Sequence, residues 1–282
     1  MTDPLDVLRT PSLPVAPDRD FATRLRGRLS RALALPRGVA MSTSTARSTT
    51  AAAHRQGDVG YAWLSVPDVE RAEAFYGAVL GWSFEPGSDP QGRQVAGRLP
   101  HLGLHGGEQH PTLHCCYAVA DIDAAVARVR EAGGRASDPV DTPHGLSSDC
   151  TDDDGTVFAL YEPPQGIGTG DALAGGPGDL VYTTFEVLDS ARTRAFYGAV
   201  LGWEFTAGGV EDGWQIAGGA GGLQGGHARA TTLPMWQVAD TAAAVAAVRA
   251  AGGTAGEPQT RPYGIETECT DDQGSRFYLG QF

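Results

Sequence analysis

The residues that could carry chemistry are few, and their spacing narrows what that chemistry is. Cys115, Cys116, Cys150 and Cys269 form no CxxC pair. The only close two are adjacent in sequence, which suits neither a zinc site nor a disulfide staple. They read as free, buried thiols in a reducing compartment. No G-x-S-x-G elbow is present, and no cysteine stands at a useful spacing from a histidine, so nucleophilic catalysis has no support. Residues 218–226 (GGAGGLQGG) have the glycine content of a phosphate loop. They lack its Lys-Ser/Thr and no helix pattern follows, so they read as a strand with tight turns. The histidines His101, His105 and His114 remain as candidates, with His110 and His144 in polar loops.

The elements that must position these residues come from a duplication. FYGAVLGW occurs at Phe75 and again at Phe196, 121 residues later. VADIDAAVARVREAGG from Val119 matches VADTAAAVAAVRAAGG from Val238, and CTDDDG from Cys150 matches CTDDQG from Cys269, both now at a spacing of 119. Two residues are therefore missing from the second copy, in the turn-rich stretch equivalent to residues 98–103 of the first. Within each copy, alternating stretches (Tyr61 to Val66, Leu113 to Val119) predict half-buried strands. Helical patterns follow, with Asp68 and Asp121 as N-caps and with Gly81 and Gly133-Gly134 as stops. The predicted unit is β-α-β-β-β, used four times in the chain.

These motifs resemble the vicinal-oxygen-chelate superfamily, which includes glyoxalases, bleomycin-resistance proteins and dioxygenases. The resemblance rests on a strand ending V-x-D, a helix ending F-Y-x-x-V-L-G-W, a second V-x-D helix ending in Gly-Gly, and a D-D-x-G turn, and it covers both copies. It implies an α+β fold of two tandem domains, each of paired β-α-β-β-β modules forming a cupped mixed sheet with helices on the outside. The domains are expected at residues 57–164 and 178–282, joined by a Gly-rich linker at 165–177. Fold alone does not fix activity in such a superfamily.

In that family the inner face of the cup holds a metal and substrate. The resemblance carries its strand-one ligand onto Tyr61 and Tyr182, its strand-five ligand onto His114 and Leu233, and its closing carboxylate onto Ala159 and Tyr278. The end of strand four supplies His105, aligned with Gln224, and His101 shares that strand's face. A divalent metal needs about three ligands from His and Glu with open positions left for substrate. The second copy offers none of these except Gln224; in the first, His105 and His114 are the metal candidates. Strand alternation then assigns faces. In the first cup Tyr61, Trp63, Ser65, His114, Cys116, Ala118, Val157, Ala159 and Tyr161 point inward. In the second, Tyr182, Thr184, Glu186, Met235, Gln237, Arg276 and Tyr278 do. Glu186 and Arg276 are either a polar ligand site or an ion pair filling an empty cup.

Charge and composition bound the rest. The chain has 282 residues and a net charge of −13. Residues 1–57 hold nine Arg against four Asp, a net of +5, so the remainder carries −18. An acidic body repels nucleic acid, which leaves a basic arm (1–56) as the only segment suited to a polyanion. Within it an amphipathic helix is expected over 18–35, either packing on the acidic body or docking on a protein partner, and Met41 is an alternative start. All 21 basic residues are Arg, a composition that looks like coding bias. No membrane-spanning run or signal peptide is evident, and a cytoplasmic protein is expected.

The functional expectation is a small-molecule-binding protein that uses no cofactor or metal and holds an aromatic or amphipathic ligand. Its expected contacts are Tyr61, Trp63, His105, His114 and Tyr161 in the first cup, and Tyr182, Glu186, Gln237, Arg276 and Tyr278 in the second. The alternative is a metal-dependent isomerase, lyase or dioxygenase using His105 and His114.

Overall fold

The structure is a computed structural model that describes residues 54–282 apart from 88, 99, 143, 144, 165 and 168–174. The helix expected over 18–35, His144 and most of the expected linker lie outside the described residues.

Among the described residues four helices form where the caps require them. Asp68 accepts from the amides of Glu70 and Arg71 to start α1 (Val69–Leu80), and left-handed Gly81, at φ 67°, ends it. Asp121 starts α2 (Ile122–Glu131) by accepting from Ala124. Asp189 and Gly202 bound α3 (Ser190–Leu201) as Asp68 and Gly81 bound α1, and Asp240 caps α4 (Thr241–Ala250).

The first sheet runs in the order β2 (Phe84–Pro86), β3 (Gly92–Val95), β4 (His101–His105), β1 (Val59–Ser65), β5 (Thr112–Ala118), β9 (Val157–Glu162), β8 (Gly145–Thr151), β6 (Arg135–Ala136). A short β7 (Val140–Thr142) also pairs with β8. The second sheet repeats this order as β11 (Phe205–Ala207), β12 (Gly213–Ile216), β13 (Gly221–Gln224), β10 (Leu180–Glu186), β14 (Thr231–Gln237), β18 (Arg276–Gln281), β17 (Gly264–Thr270), β15 (Thr254–Ala255), with β16 (Gln259–Arg261) on β17. Two modules meet in each sheet through an antiparallel pair, β1 with β5 and β10 with β14. The expected three strands after the helix become four in the second module of each copy. The edge segment is split there by Pro139 and Pro258, which have no N–H to give the ladder.

Alternation separates the two faces of the first sheet as expected. Ala62, Leu64, Val66, Leu113, Cys115, Tyr117, Phe158 and Leu160 belong to the large core on the helix side. Tyr61, Cys116 and Ala159 form a separate small cluster on the cup side, with Trp63 and Tyr161 against it. All four cysteines are free and buried, and burial pushes the Cys115, Cys150 and Cys269 thiols up to about 12.

The large core is not confined to one copy. The helices cover the face of their own sheet opposite its cup, and on that side they also meet the other copy. Phe75 of α1 packs edge-on against Phe277 of β18 at 6.1 Å, and Phe196 of α3 packs on Phe158 of β9 at 6.1 Å. The repeated D-D-x-G turn receives the other copy's helix. Tyr197 donates to Asp152 and Tyr76 to Asp271, while Arg71 bonds Asp272 and Arg192 bonds Asp153. The letter-for-letter repeats are thus the two halves of one reciprocal interface. Sequence reading had located the repeats but not this exchange.

Candidate functional site

In the first cup, strand register places the expected residues along a diagonal. Tyr61 lies opposite Cys116, Trp63 opposite His114, and Ser65 beside His105 on the parallel neighbour. Trp63 and His114 are stacked, with ring centroids 4.8 Å apart and planes 15° from parallel, and both are half-buried. The imidazole is held from both sides. His114 Nδ1 is 3.3 Å from the Val157 carbonyl, and Nε2 is 2.7 Å from Ser65 Oγ. A carbonyl only accepts, so Nδ1 carries the hydrogen and, in the neutral ring, Nε2 accepts from the Ser65 hydroxyl.

Tyr61 fills the cup beside this pair. It is only 5% exposed, and its hydroxyl lies where a Cβ on Gly103 would come within 2.4 Å. Glycine at 103 is what lets the phenol lie flat on β4. Burial raises the Tyr61 phenol well above its ordinary value, against a hydrogen bond from Gln94, so it stays neutral. Tyr161, half-buried, lies over Gly60 at the far end from His105, with His54 edge-on to it at 5.9 Å. The structure therefore brings Tyr61, Trp63 and His114 together, sets His105 next to Ser65 at one end and leaves Tyr161 at the other.

The positions that the resemblance assigns to metal ligands do not fit a divalent cation. Tyr61 is a buried neutral phenol, Ala159 has no donor, and both nitrogens of His114 are in hydrogen bonds. Among the described residues no group of three or more His, Cys, Asp or Glu is arranged to hold a metal ion.

The second cup keeps the frame and changes the chemistry. Tyr182 lies over Gly222 as Tyr61 does over Gly103. At the places of Ser65 and Val157 stand Glu186 and Arg276, joined in a two-pronged ion pair of 2.8 and 2.9 Å. Arg276 also bonds Glu268 at 2.8 Å, and His227 Nδ1 lies 3.6 Å from Glu186. The hydrogen bonds from Arg276 to Glu186 raise the guanidinium above its usual value, so Arg276 keeps its charge. Tyr278, half-buried on the same strand face two residues from Arg276, has its phenol pushed up to about 12, mainly by burial. Gln237 lies at the opposite end of β14 from Thr231, which pairs with Glu186, so it is not part of this group. Sequence reasoning missed Glu268 and His227. Alternation along β17, where Glu268 pairs with Tyr278, carried the first; nothing local marked the second.

Comparison with known proteins agrees with this frame. The glyoxalase-like domain family matches residues 62–161. The chain is 30% identical over 254 residues to the anthracycline biosynthesis protein DauV of Streptomyces sp. (strain C5), covering 77% of this chain and 90% of that protein. Its fold is similar to the Mn(II)-bound glyoxalase from Novosphingobium aromaticivorans, with a TM-score of 0.63, 16% identity, and coverage of 80% of this chain and 82% of that one. It is also similar to the 2,3-dioxygenase LapB from Pseudomonas sp. KL28, with a TM-score of 0.62, 14% identity, and coverage of 81% and 94%. None of the described helices is long and apolar enough to cross a membrane. With its two tandem cupped sheets and glyoxalase-like first half, the chain belongs to the vicinal-oxygen-chelate superfamily.

Proposed function

We propose that the chain binds a planar aromatic small molecule in its first cup and does so without a metal. The observation that carries this reading is the Trp63–His114 stack. It is a flat aromatic shelf, half-buried on the inner face of a cupped sheet, with its imidazole fixed by Ser65 and Val157. Large rigid aromatics give contact area at little entropic cost, and offset stacking adds about 0.5–1.5 kcal/mol beyond area burial. The relative DauV is described as an anthracycline biosynthesis protein, and anthracyclines are planar and polycyclic, the shape such a shelf accepts. Tyr61, buried and neutral, forms the aromatic wall beside that shelf, and neutral Tyr161 stands at the far end of the cup.

Holding such a molecule out of water is what these residues do together; sequestration or sensing follows from it. The rival is a metal-dependent enzyme of the same superfamily, favoured by the fold shared with the Mn(II)-bound glyoxalase and by His105 at the end of β4. Equilibrium binding of an anthracycline, measured before and after exhaustive chelation, separates the two. Unchanged affinity supports the proposal, and binding that disappears with EDTA and returns with manganese or iron contradicts it.

A further inference from the structure

The two copies are related by sequence almost throughout, so a place where they differ in shape marks a change of use. One such place is the loop that holds the two-residue difference. Ala96 corresponds to Ala217 and Leu102 to Gly221, so the five residues Gly97 to His101 of the first copy face only Gly218, Gly219 and Ala220 in the second. In the first copy this loop carries Arg98. Its guanidinium crosses to the second copy, donating to the Pro177 carbonyl at 2.6 Å and to Asp179 at 3.3 Å. It packs so closely on Gly178 that a Cβ there would lie 2.9 Å from its central carbon. The adjacent indole of Trp82 donates to the Gly178 carbonyl and meets Trp236 edge-on at 4.9 Å. That corner is plugged.

Among the described residues the equivalent corner is open. Gly57, Asp58 and Trp203 stand where Gly178, Asp179 and Trp82 stand on the other side. Tyr117 replaces the larger Trp236, and no arginine reaches in from residues 218–220. A cleft of about 490 Å³ remains, lined among others by His54, Asp58, Trp203, Glu204, Ile216 and Ala220. This is the size of a small-molecule site. We infer that this cleft is a second ligand site, distinct from the first cup and bordered by Tyr182 of the second, that takes a planar organic cation.

The lining gives the cleft its charge. Arg55 and Asp58 neutralise each other, and Arg55 also reaches the Gly218 carbonyl at 3.3 Å. Burial lowers His54, which keeps it uncharged at neutral pH. Glu204 is exposed, makes no ion pair among the described residues, and leaves the cleft negative. Half-buried Trp203 supplies an aromatic surface, which attracts cations as well as flat rings. The strongly acidic body adds a favourable field for a cation.

The test uses the full chain carrying Trp63→Ala, so that the first cup is weakened, with 9-aminoacridine as the cationic probe and anthracene-9-carboxylate as its anionic counterpart. Saturable binding of 9-aminoacridine is expected, with weaker binding of the anion. Adding Ala220→Arg, which restores a side chain like Arg98 to the corner, is expected to weaken it at least about tenfold. Glu204→Gln is expected to weaken it by about two- to fivefold, as for an exposed charge. Both positions are exposed, and unchanged melting temperatures check that the fold is retained. Absence of saturable binding overturns the inference, as does binding that Ala220→Arg leaves intact or a preference for the anion. None of these results bears on the first cup.

Discussion

The hydroxyl of Tyr76 donates to the buried carboxylate of Asp271 across 3.3 Å and 195 residues of chain, and Tyr197 with Asp152 repeats the bond in the opposite sense. Each FYGAVLGW helix is therefore seated in the other copy's D-D-x-G turn. Stability and site geometry in either copy depend on both.

This interlock makes Phe75 and Phe196 cross-copy core residues, each 2% exposed. Either Phe→Ala change should cost about 3–5 kcal/mol, as large core cavities do. Denaturant melts should show this as one cooperative transition for the whole chain. A near-neutral result at both sites, or two separate transitions, would contradict the shared core.

The turn carboxylates give a pH signature. Burial raises Asp152 and Asp271 above the ordinary carboxylate range, outweighing hydrogen bonds from Thr156 and Ser275. A raised folded value means that the folded state binds the proton more tightly. The resulting stabilisation is full below the unfolded value and fades as pH rises through the folded one. Asp152→Asn with Asp271→Asn keeps the turn acceptors and removes this titration. Relative to that variant, wild type should lose stability as pH climbs from about 4 toward neutrality. A flat or reversed difference in melting temperature would count against the assignment.

In the second cup, Glu186 is buried and bonded through both carboxylate oxygens to Arg276. Arg276→Ala should destabilise the chain by about 1–3 kcal/mol because it leaves a buried carboxylate without its partner. Arg276→Ala combined with Glu186→Gln should recover most of that loss. Additive losses in the double variant would show that the pair is not coupled.

Much of this was legible in the residues. The caps at Asp68 and Asp121, the stop at Gly81, and the assignment of Ala62, Leu64 and Val66 to one face and Tyr61 and Trp63 to the other follow from local periodicity, which a single strand or helix fully expresses. The pairing of Glu186 with Arg276 followed from alternation on two strands that the fold brings together. What stayed hidden is relational. Nothing near Phe75 says that its ring meets Phe277, because the helix stripe looks the same whichever sheet it covers. The engagement of both His114 nitrogens depends on Ser65 and on the Val157 carbonyl, a backbone group with no letter of its own. The open corner at Trp203 needed both the two-residue gap and the knowledge of where Arg98 reaches.

Metal content is a separate check. Purified protein should hold manganese, iron, zinc and nickel well below one per chain, and chelators should leave its melting temperature unchanged. One tightly held ion per chain, lost in a His105→Ala, His114→Ala variant, would contradict the donor-set argument.

The most direct test of the central claim is the affinity of the first cup for a planar aromatic ligand with and without its shelf. In tryptophan-fluorescence titrations with an anthracycline, Trp63→Ala should weaken binding by about 1–3 kcal/mol, the loss typical of an aromatic anchor. Ser65→Ala, which frees the His114 ring from its 2.7 Å bond, should weaken it less. Tyr182→Ala in the second cup should leave it unchanged. Binding that survives Trp63→Ala intact and is lost with Tyr182→Ala would contradict the account and move the working site to the second cup.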